Sequence, residues 1–344
     1  MRRAGKRWLA LFLLGLLSMA APLAAVWLWP FGPNGGSPKF ILIPRGMSSY
    51  EVAHLLQQEG VVRHWSWFLL YLKTVKRNSH IQAGEYKFDL PHSVVQVVDK
   101  LVRGLVYYHE LIIPEGYSLF EIAELLEQNG FSSTTDFWAA ASRREPVSHF
   151  AVAAKNVEGF LFPDTYRLAR GTTADEIVGM MVERFRQVYS QSLEAEMKQS
   201  ILSFPEVLTM ASLIEKETSV DAERELISAV FHNRLKRRMP LQCDPTVIYA
   251  ARLRGKYRGA IFQSDLNFDS PYNTYKHLGL PPGPIANPGK RSIEAAIKPA
   301  KVNFLYFVAN NQGGHTFSNT LEDHQRAVAA YRKGLNHGER PGPV

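Results

Sequence analysis

The segments IPRGMS at residues 43–48 and IPEGYS at residues 113–118 set the organisation of the chain, because they begin two copies of one unit. The offset between the copies is 70, and ten of the twenty positions from 41 to 60 are identical at that offset. An aromatic pair follows each copy, at 67–68 and at 137–138. A fixed offset with this density of matches indicates a duplicated supersecondary unit.

Each copy is predicted to form a strand, a Pro-x-Gly turn and two helices. Ser48 and Ser118 each precede a Glu by three residues, a spacing that predicts a capping box at a helix start. Gly60 and Gly130 stand where a glycine ends a helix. Short β-rich runs lie before the turns, at 40–43 and 110–113, and the first copy continues with a predicted strand at 84–88 and a predicted helix at about 93–103.

The β-α-α-β pattern of the first copy, over residues 39–109, resembles the LysM-like modules that bind glycan strands of cell walls. Contact with glycan and a purely structural role as a brace are both open for this copy. The second copy runs directly into the motif-rich half of the chain, so we expect it to be part of a larger domain.

Composition and charge exclude several classes of protein. The chain has 344 residues, is 46% hydrophobic and 21% charged, and has a formal charge of +8. These values exclude a wholly disordered chain, a collagen and a polytopic membrane protein. The single cysteine excludes an intramolecular disulfide framework and a Cys-rich metal site. Half of the positive excess comes from four cations within residues 1–7, and the dense run at 234–238 is expected to end a helix, so nucleic acid is not an expected partner.

Residues 8–29 contain no charged side chain. A helix over this run would be about 33 Å long, enough to cross the apolar part of a bilayer. The cations of residues 1–7 predict a cytoplasmic tip, and Trp27 and Trp29 fit an interfacial aromatic belt. A cleaved signal peptide is the alternative, since small residues at 20–25 offer a cleavage site. Both interpretations predict an exported body, joined through a Pro/Gly-rich linker at 30–38.

The segment LTMASLIEKET at 208–218 predicts a helix from about 205 to 218 that carries a candidate acid. Glu215 falls at the margin of its apolar face, where the pKa of a carboxyl is raised as a general acid requires. Glu217 lies about 200° further around the helix, which predicts that it faces solvent and that the two carboxyls do not share a pocket. From the helix alone, a surface Glu in a salt bridge is the alternative interpretation of Glu215.

Loops rich in Asn, Gln, Tyr and His favour an enzyme that acts on a glycan. Such loops occur at 242–246, 273–275 and 313–317. Their polar side chains suit a polyhydroxy substrate, and their aromatic rings can stack on sugar faces. The chain contains no phosphate-binding P-loop, no HExxH zinc motif and no GxSxG nucleophile elbow, so neither a metal nor a cofactor is expected.

Over about residues 39–335 the chain resembles the endolytic murein transglycosylase (MltG or YceG-like) family. Beyond the repeat, the resemblance is carried by EGFLFPDTY (158–166), LTMASLIEKET (208–218), FHNRL (231–235), MPLQCDPTVIY (239–249), SPYNTY (270–275), GLPPGPIANPG (279–289) and YFVANNQGGHTF (306–317). Cys243 is one departure, because the family more often has Ser or Thr there. We expect an α+β fold with an N-terminal transmembrane helix, the LysM-like module, a larger mixed catalytic domain at 110–337 and a tail at 338–344.

The resemblance implies cleavage of the β-1,4 bond between MurNAc and GlcNAc within peptidoglycan strands, without water. The catalytic Glu of the family falls on Glu215, which would protonate the glycosidic oxygen and then take the proton of the MurNAc C6 hydroxyl, leaving a 1,6-anhydro end. One carboxyl suffices because the substrate supplies its own nucleophile, whereas an ordinary glycosidase uses two. Asp244 and Glu223 remain open as a second carboxyl.

The resemblance also implies a set of substrate-binding residues and partners. The predicted saccharide contacts are Gln242, Asp244, Asn273, Thr274 and Tyr275, with His315 and Phe317 closing one side. Glu158, Asp164 and Tyr166 are expected mainly to hold structure. The implied partners are peptidoglycan strands and cell-wall synthases (penicillin-binding proteins), with the body in the periplasm and the anchor in a bacterial inner membrane. The alternative function is a non-catalytic wall-binding scaffold for a synthase, which would not need Glu215 beside polar loops.

Overall fold

The computed structural model describes residues 25–32, 37–77, 79–89, 91–143, 145–147 and 155–336. These residues form helices and three two-stranded sheets. The strands are β1 (Lys39–Ile43), β2 (Gly84–Phe88), β3 (Tyr108–Ile112), β4 (Thr165–Ala169), β5 (Tyr306–Ala309) and β6 (His315–Ser318). The helices are α1 (Ser49–Gln58), α2 (Trp65–Thr74), α3 (Val94–Val102), α4 (Leu119–Gln128), α5 (Thr134–Ala141), α6 (Ala174–Val188), α7 (Glu194–Met197), α8 (Phe204–Glu217), α9 (Arg224–Lys236), α10 (Asp244–Leu253), α11 (Lys290–Ile297) and α12 (Leu321–Asn336). The predicted α+β class is confirmed.

The chain divides into two units. The first contains the described residues up to Glu110 together with Arg167–Thr172, and the second contains Leu111–Tyr166 and the described residues from Thr173 onward. The segment Arg167–Thr172 belongs to the first unit although it lies between two segments of the second, and no sequence pattern predicts this assignment. The second unit holds the helices and the hairpin on which the predicted site residues lie.

In the first unit, helices α1, α2 and α3 accompany the antiparallel pair β1–β2. The register places Ile41 opposite Tyr86 and Ile43 opposite Gly84. The buried core is built from both strands and all three helices, with Val52, Leu56, Phe68, Leu72, Tyr86, Phe88, Val97 and Leu101 among its members. The order β1-α1-α2-β2 agrees with the predicted pattern, and the likeness to LysM modules stays a prediction.

The duplication predicted from the sequence has the expected local structure. Ser48 begins α1 and Ser118 begins α4, each within a capping box. Gly60 and Gly130 follow the two helices with φ of 67° and 68°, the left-handed conformation that glycine adopts without strain. Helix α3 also begins at a capping box, that of Ser93. The order β-α-α-β recurs in the second copy as β3-α4-α5-β4.

Most of the predicted anchor, residues 8–24, lies outside the described residues, as do the tip at 1–7, part of the linker and the tail. Within the described ranges, no helix is both long enough and apolar enough to span a membrane. Trp27 packs edge-to-face on Tyr71, with ring centroids 5.2 Å apart, whereas Trp29 is 69% exposed.

Candidate active site

Helix α8 supplies the candidate acid from a buried position. A capping box of Ser203 and Glu206 begins the helix, and Pro205 occupies its first turn, where the missing N–H has no cost. Every residue from Val207 to Ile214 is buried. The helix ends at Glu217, because Thr218 adopts extended backbone with φ of −148°. Glu215 and Glu217 therefore lie in the last turn, where the buried helix reaches the surface.

The Glu215 carboxylate is fixed on both of its oxygens. Its side chain is 5% exposed, and Oε1 accepts a hydrogen bond from Arg224 Nη1 at 2.9 Å. Oε2 accepts the backbone N–H of Gly289 at 2.9 Å. Helix α8 is apolar as predicted, but the carboxyl head meets a cation and a backbone amide rather than an apolar margin.

An open cavity of about 580 Å³ lies at this end of α8. Its walls come from the Glu115–Gly116 turn, from the end of α8 and from the segment that leads to Arg224. Gly116 permits the close approach, since an added Cβ would stand 3.3 Å from Glu215 Cγ. A buried carboxyl on the wall of an open cavity is an arrangement suited to proton transfer to a bound substrate.

Glu217 is among the residues that line the same cavity, but the groups that shift the pKa of its carboxyl are Cys243, Asp244 and Arg234. Both glutamates lie within α8, and the chain becomes extended only at Thr218. That the two carboxyls do not share a pocket therefore stays a prediction. The prediction that Glu217 faces solvent is wrong, because it is half-buried. Burial raises the pKa of Glu217 to about 7, and the negative charge of Asp244 adds to this, while a hydrogen bond from the Cys243 thiol opposes it.

The loop that precedes α10 places two predicted contact residues at the surface. Gln242 is exposed and has φ of 51°, a left-handed conformation that costs a non-glycine residue roughly 1–3 kcal/mol. Asp244 is exposed at the start of α10 and accepts the Tyr275 hydroxyl at 2.5 Å. Strain of this kind collects at functional sites.

Asn273 and Thr274 are buried and hold the loops instead of facing open space. Asn273 is 0% exposed, and its amide donates to the carbonyls of Leu266 and Phe268 while its Oδ1 accepts the N–H of Tyr275. Thr274 Oγ1 accepts the N–H of Cys243 at 3.0 Å. Every polar atom of the Asn273 side chain is used within the loop. These two residues therefore position Tyr275 and Cys243.

His315 and Phe317 lie on β6, in the hairpin with β5. Glu223 holds this hairpin, because its Oε1 accepts the His315 N–H at 2.8 Å and its Oε2 lies 2.7 Å from His315 Nδ1. Phe317 is half-buried and stacks on Phe304 with ring centroids 5.5 Å apart. Glu223, open as a second carboxyl in the sequence, is thus engaged in binding the hairpin. Its Oε2 also lies 3.4 Å from Thr218 Oγ1, at the edge of the cavity.

The sequence profile of the YceG-like family matches residues 41–330. The chain belongs to the YceG-like family.

Relatives and a solved structure extend this match. The endolytic murein transglycosylase of Bacillus subtilis strain 168 is 36% identical over 312 residues, which is 86% of this chain and 85% of that protein. The protein of the same name from Streptococcus pneumoniae serotype 2 is 33% identical over 336 residues; the match covers 88% of this chain, which spans 60% of that relative. A crystal structure of a yceG-like protein from Listeria monocytogenes has 34% identity and a TM-score of 0.57, covering 84% of this chain and 99% of that one. The resemblance and the enzymatic class predicted from the motifs are confirmed.

In this YceG-like chain, two of the diagnostic motifs interlock through Glu158 and Asn287. Asn287 Oδ1 accepts the N–H groups of Gly159 and Leu161, and its amide donates to Glu158 Oε1 at 3.0 Å. The same amide donates to the carbonyl of Tyr117, which follows the Gly116 wall of the cavity. These motifs of the family therefore form a buried polar network next to the wall of the cavity.

Glu158 is 2% exposed, and burial raises its pKa to about 8 although three hydrogen-bond partners favour the charged form. Asp164 pairs with Arg184 at 2.6 Å, and Tyr166 donates its hydroxyl to the Phe162 carbonyl. Their contacts agree with the structural roles expected of these residues.

Arg224 and Gly289 are the site residues that sequence reasoning missed. Arg224 stands in a segment of mixed charge, DAERE at 221–225, which has the composition of a solvated surface. Gly289 follows a proline in a turn-rich run, and its role is played by its backbone N–H.

Within the described ranges, no cluster of three or more His, Cys, Asp and Glu could hold a metal ion.

Proposed function

We propose that this chain is an endolytic lytic transglycosylase that cleaves the MurNAc–GlcNAc β-1,4 bond of nascent peptidoglycan strands. The observation that carries the proposal is the position of Glu215, a buried carboxyl with both oxygens fixed, on the wall of an open cavity of about 580 Å³. A cavity of this volume is within the range of roughly 300–1,000 Å³ typical of ligand sites. The names of the curated relatives support the same reaction.

The proposed reaction uses one carboxyl twice. Protonated Glu215 gives its proton to the glycosidic oxygen as the bond from C1 to that oxygen breaks, and the GlcNAc hydroxyl leaves. The carboxylate then takes the proton of the MurNAc C6 hydroxyl while O6 bonds to C1. Glu215 ends the cycle protonated, the product carries a 1,6-anhydro ring, and no water is consumed. This differs from glycosidases in which a second carboxyl activates water or forms a glycosyl intermediate.

The proposed saccharide contacts follow from exposure. Gln242, Asp244 and Tyr275 are accessible at least in part, and Gln242 keeps a strained backbone there. We assign Asn273 and Thr274 to holding these groups in place, because both are buried and hydrogen-bonded within the loops. His315 and Phe317 would close one side of the cleft through the hairpin that Glu223 binds.

The proposal places the body in the periplasm, anchored to the inner membrane by residues 8–29 and working beside a cell-wall synthase. The apolar run with its preceding cations supports the anchor. Membrane fractionation of the full chain and of residues 39–344 tests this part separately. Equal partition of both into the soluble fraction would refute the anchor and leave the chemistry untouched.

Digestion of purified peptidoglycan, with mass analysis of the fragments, tests the chemistry. We expect anhydro-ended fragments from the wild-type chain and none above background from Glu215→Gln, because the amide cannot donate or accept the proton. Glu225→Gln is the matched control, since Glu225 is exposed at the start of α9 and does not line the cavity. Reducing ends in place of anhydro ends mean hydrolysis. Binding without cleavage by the wild-type chain favours the scaffold function.

A further inference from the structure

Arg224 lies at the centre of the acidic groups around the cavity. Its side chain is 7% exposed, and Nη1 donates to Glu215 Oε1 at 2.9 Å and to Ser292 Oγ at 2.6 Å. Its Nε donates to Asp221 Oδ1 at 3.1 Å, and Nη2 stands 4.0 Å from Glu115 Oε2. One guanidinium thereby joins α8, α11, the segment before α9 and the Glu115–Gly116 turn.

Burying an arginine is costly unless its charge and its donors are satisfied. Here the fixed partner is Ser292, which is 0% exposed in α11 and holds Nη1 in one position. A planar guanidinium can bond Glu215, Ser292 and Asp221 at once, whereas the ammonium of Lys is a point charge without that fork. The contacts therefore fix the direction of the Glu215 carboxyl as well as its charge.

Among the described groups around Glu215, Arg224 is the cation in direct contact. Lys216 directs its ammonium to the Gly116 carbonyl and to Glu121. Glu115 is a neighbouring acid, and burial together with the charge of Glu215 raises its pKa. Arg291 pairs with Asp221. Glu217, on the same cavity, adds a second acidic group rather than a cation.

We propose that Arg224 is the positioning residue of the proton-transfer group: it fixes one orientation of Glu215 and stabilises the charge that Glu215 carries between its two proton transfers. The inference rests on the proposed function for its catalytic meaning. Arg224 exchanges no proton. It stabilises the carboxylate formed when the leaving oxygen is protonated, and it holds Oε2 against the Gly289 N–H until the C6 hydroxyl proton returns.

Two variants and two measurements test this role. Arg224→Lys keeps the charge and removes the fork, and Ser292→Ala removes only the support of Nη1. We expect Arg224→Lys to lower kcat on uncrosslinked strands about 10- to 100-fold with KM within about threefold, because a small misplacement of a reacting group has that effect. Ser292→Ala should lower kcat less, by about two- to fivefold. The ¹³C chemical shift of the Glu215 carboxyl, measured at one fixed pH, should differ from that of the wild type in Arg224→Lys, because the guanidinium contact is lost.

The control is Arg186→Lys, which alters an exposed arginine paired with Glu183 on α6. A kcat of Arg224→Lys within twofold of that control, or a ¹³C shift of the Glu215 carboxyl equal to that of the wild type, overturns the inference. If Arg224→Lys does not fold, Ser292→Ala decides by the same kcat criterion. If the wild-type chain forms no anhydro ends, the proposed function fails, and the ¹³C shift of the Glu215 carboxyl still decides whether Arg224 positions this carboxyl.

Discussion

Replacing Glu158 by Gln should remove most of the pH dependence of stability that this buried carboxyl imposes. Glu158 is 2% exposed and accepts hydrogen bonds from the Leu119 N–H, from Asn287 Nδ2 and from the Tyr249 hydroxyl. Gln can keep this geometry, with its oxygen toward Leu119 and Asn287 and its amide donating to the Tyr249 hydroxyl, which can also accept. The substitution therefore tests the charge rather than the packing.

The sign of this pH dependence follows from the direction in which the pKa of Glu158 is shifted. Burial raises the pKa of Glu158 from 4.5 to about 8, so between these values the folded chain holds a proton that the unfolded chain has released. Stability from this group is fully present below pH 4.5 and is lost as the pH rises toward 8. The loss is about 1.4 kcal/mol per pH unit, which amounts to roughly 4 kcal/mol between pH 5 and 8. Glu158→Gln should therefore gain about that much relative to the wild type over this range.

Urea unfolding of both proteins at pH 5, 6, 7 and 8, followed by far-UV circular dichroism, measures the difference. The contribution of Glu217 is common to the two proteins and cancels. Glu183→Gln is the control, because that exposed carboxyl has its pKa lowered by Arg186 and should show no gain with rising pH. A difference between Glu158→Gln and wild type that stays constant within about 0.5 kcal/mol from pH 5 to 8 would refute the reasoning.

Three further predictions concern the scaffold of the site. Asn287→Ala leaves the N–H groups of Gly159 and Leu161 buried without their acceptor and should lower the free energy of unfolding by about 3 kcal/mol or more, measured in urea; a loss below 1 kcal/mol contradicts this. Gln242→Gly should raise the free energy of unfolding by up to about 1 kcal/mol, since glycine adopts φ of 51° without strain, and should slow cleavage if the side chain contacts substrate. Glu223→Ala should speed hydrogen exchange at the His315 N–H by at least about tenfold, because this N–H loses its acceptor, Glu223 Oε1. Unchanged exchange means that other contacts hold the hairpin.

Local features were predictable because their causes are local. The capping boxes of α1 and α4 and the glycines that end these helices depend on residues three to twelve positions apart, and the structure contains each of them. The ends of β5, Tyr306–Ala309, depend on its pairing with β6, which no local pattern specifies. Asn273 was predicted as a substrate contact, but its partners within the loop could not be seen in the residue pattern.

The sequence by itself determined the family, the duplicated β-α-α-β order and the position of Glu215 at the end of a buried helix, because motifs and periodicity are written along the chain. Only the tertiary structure decided that Glu217 is half-buried and that Arg224 contacts the Glu215 carboxylate. The packing of α8 against α11 brings Glu215 within hydrogen-bond distance of Gly289, 74 positions away. Such contacts arise from packing between distant segments, and the sequence around Arg224 does not distinguish a buried arginine from a solvent-exposed one.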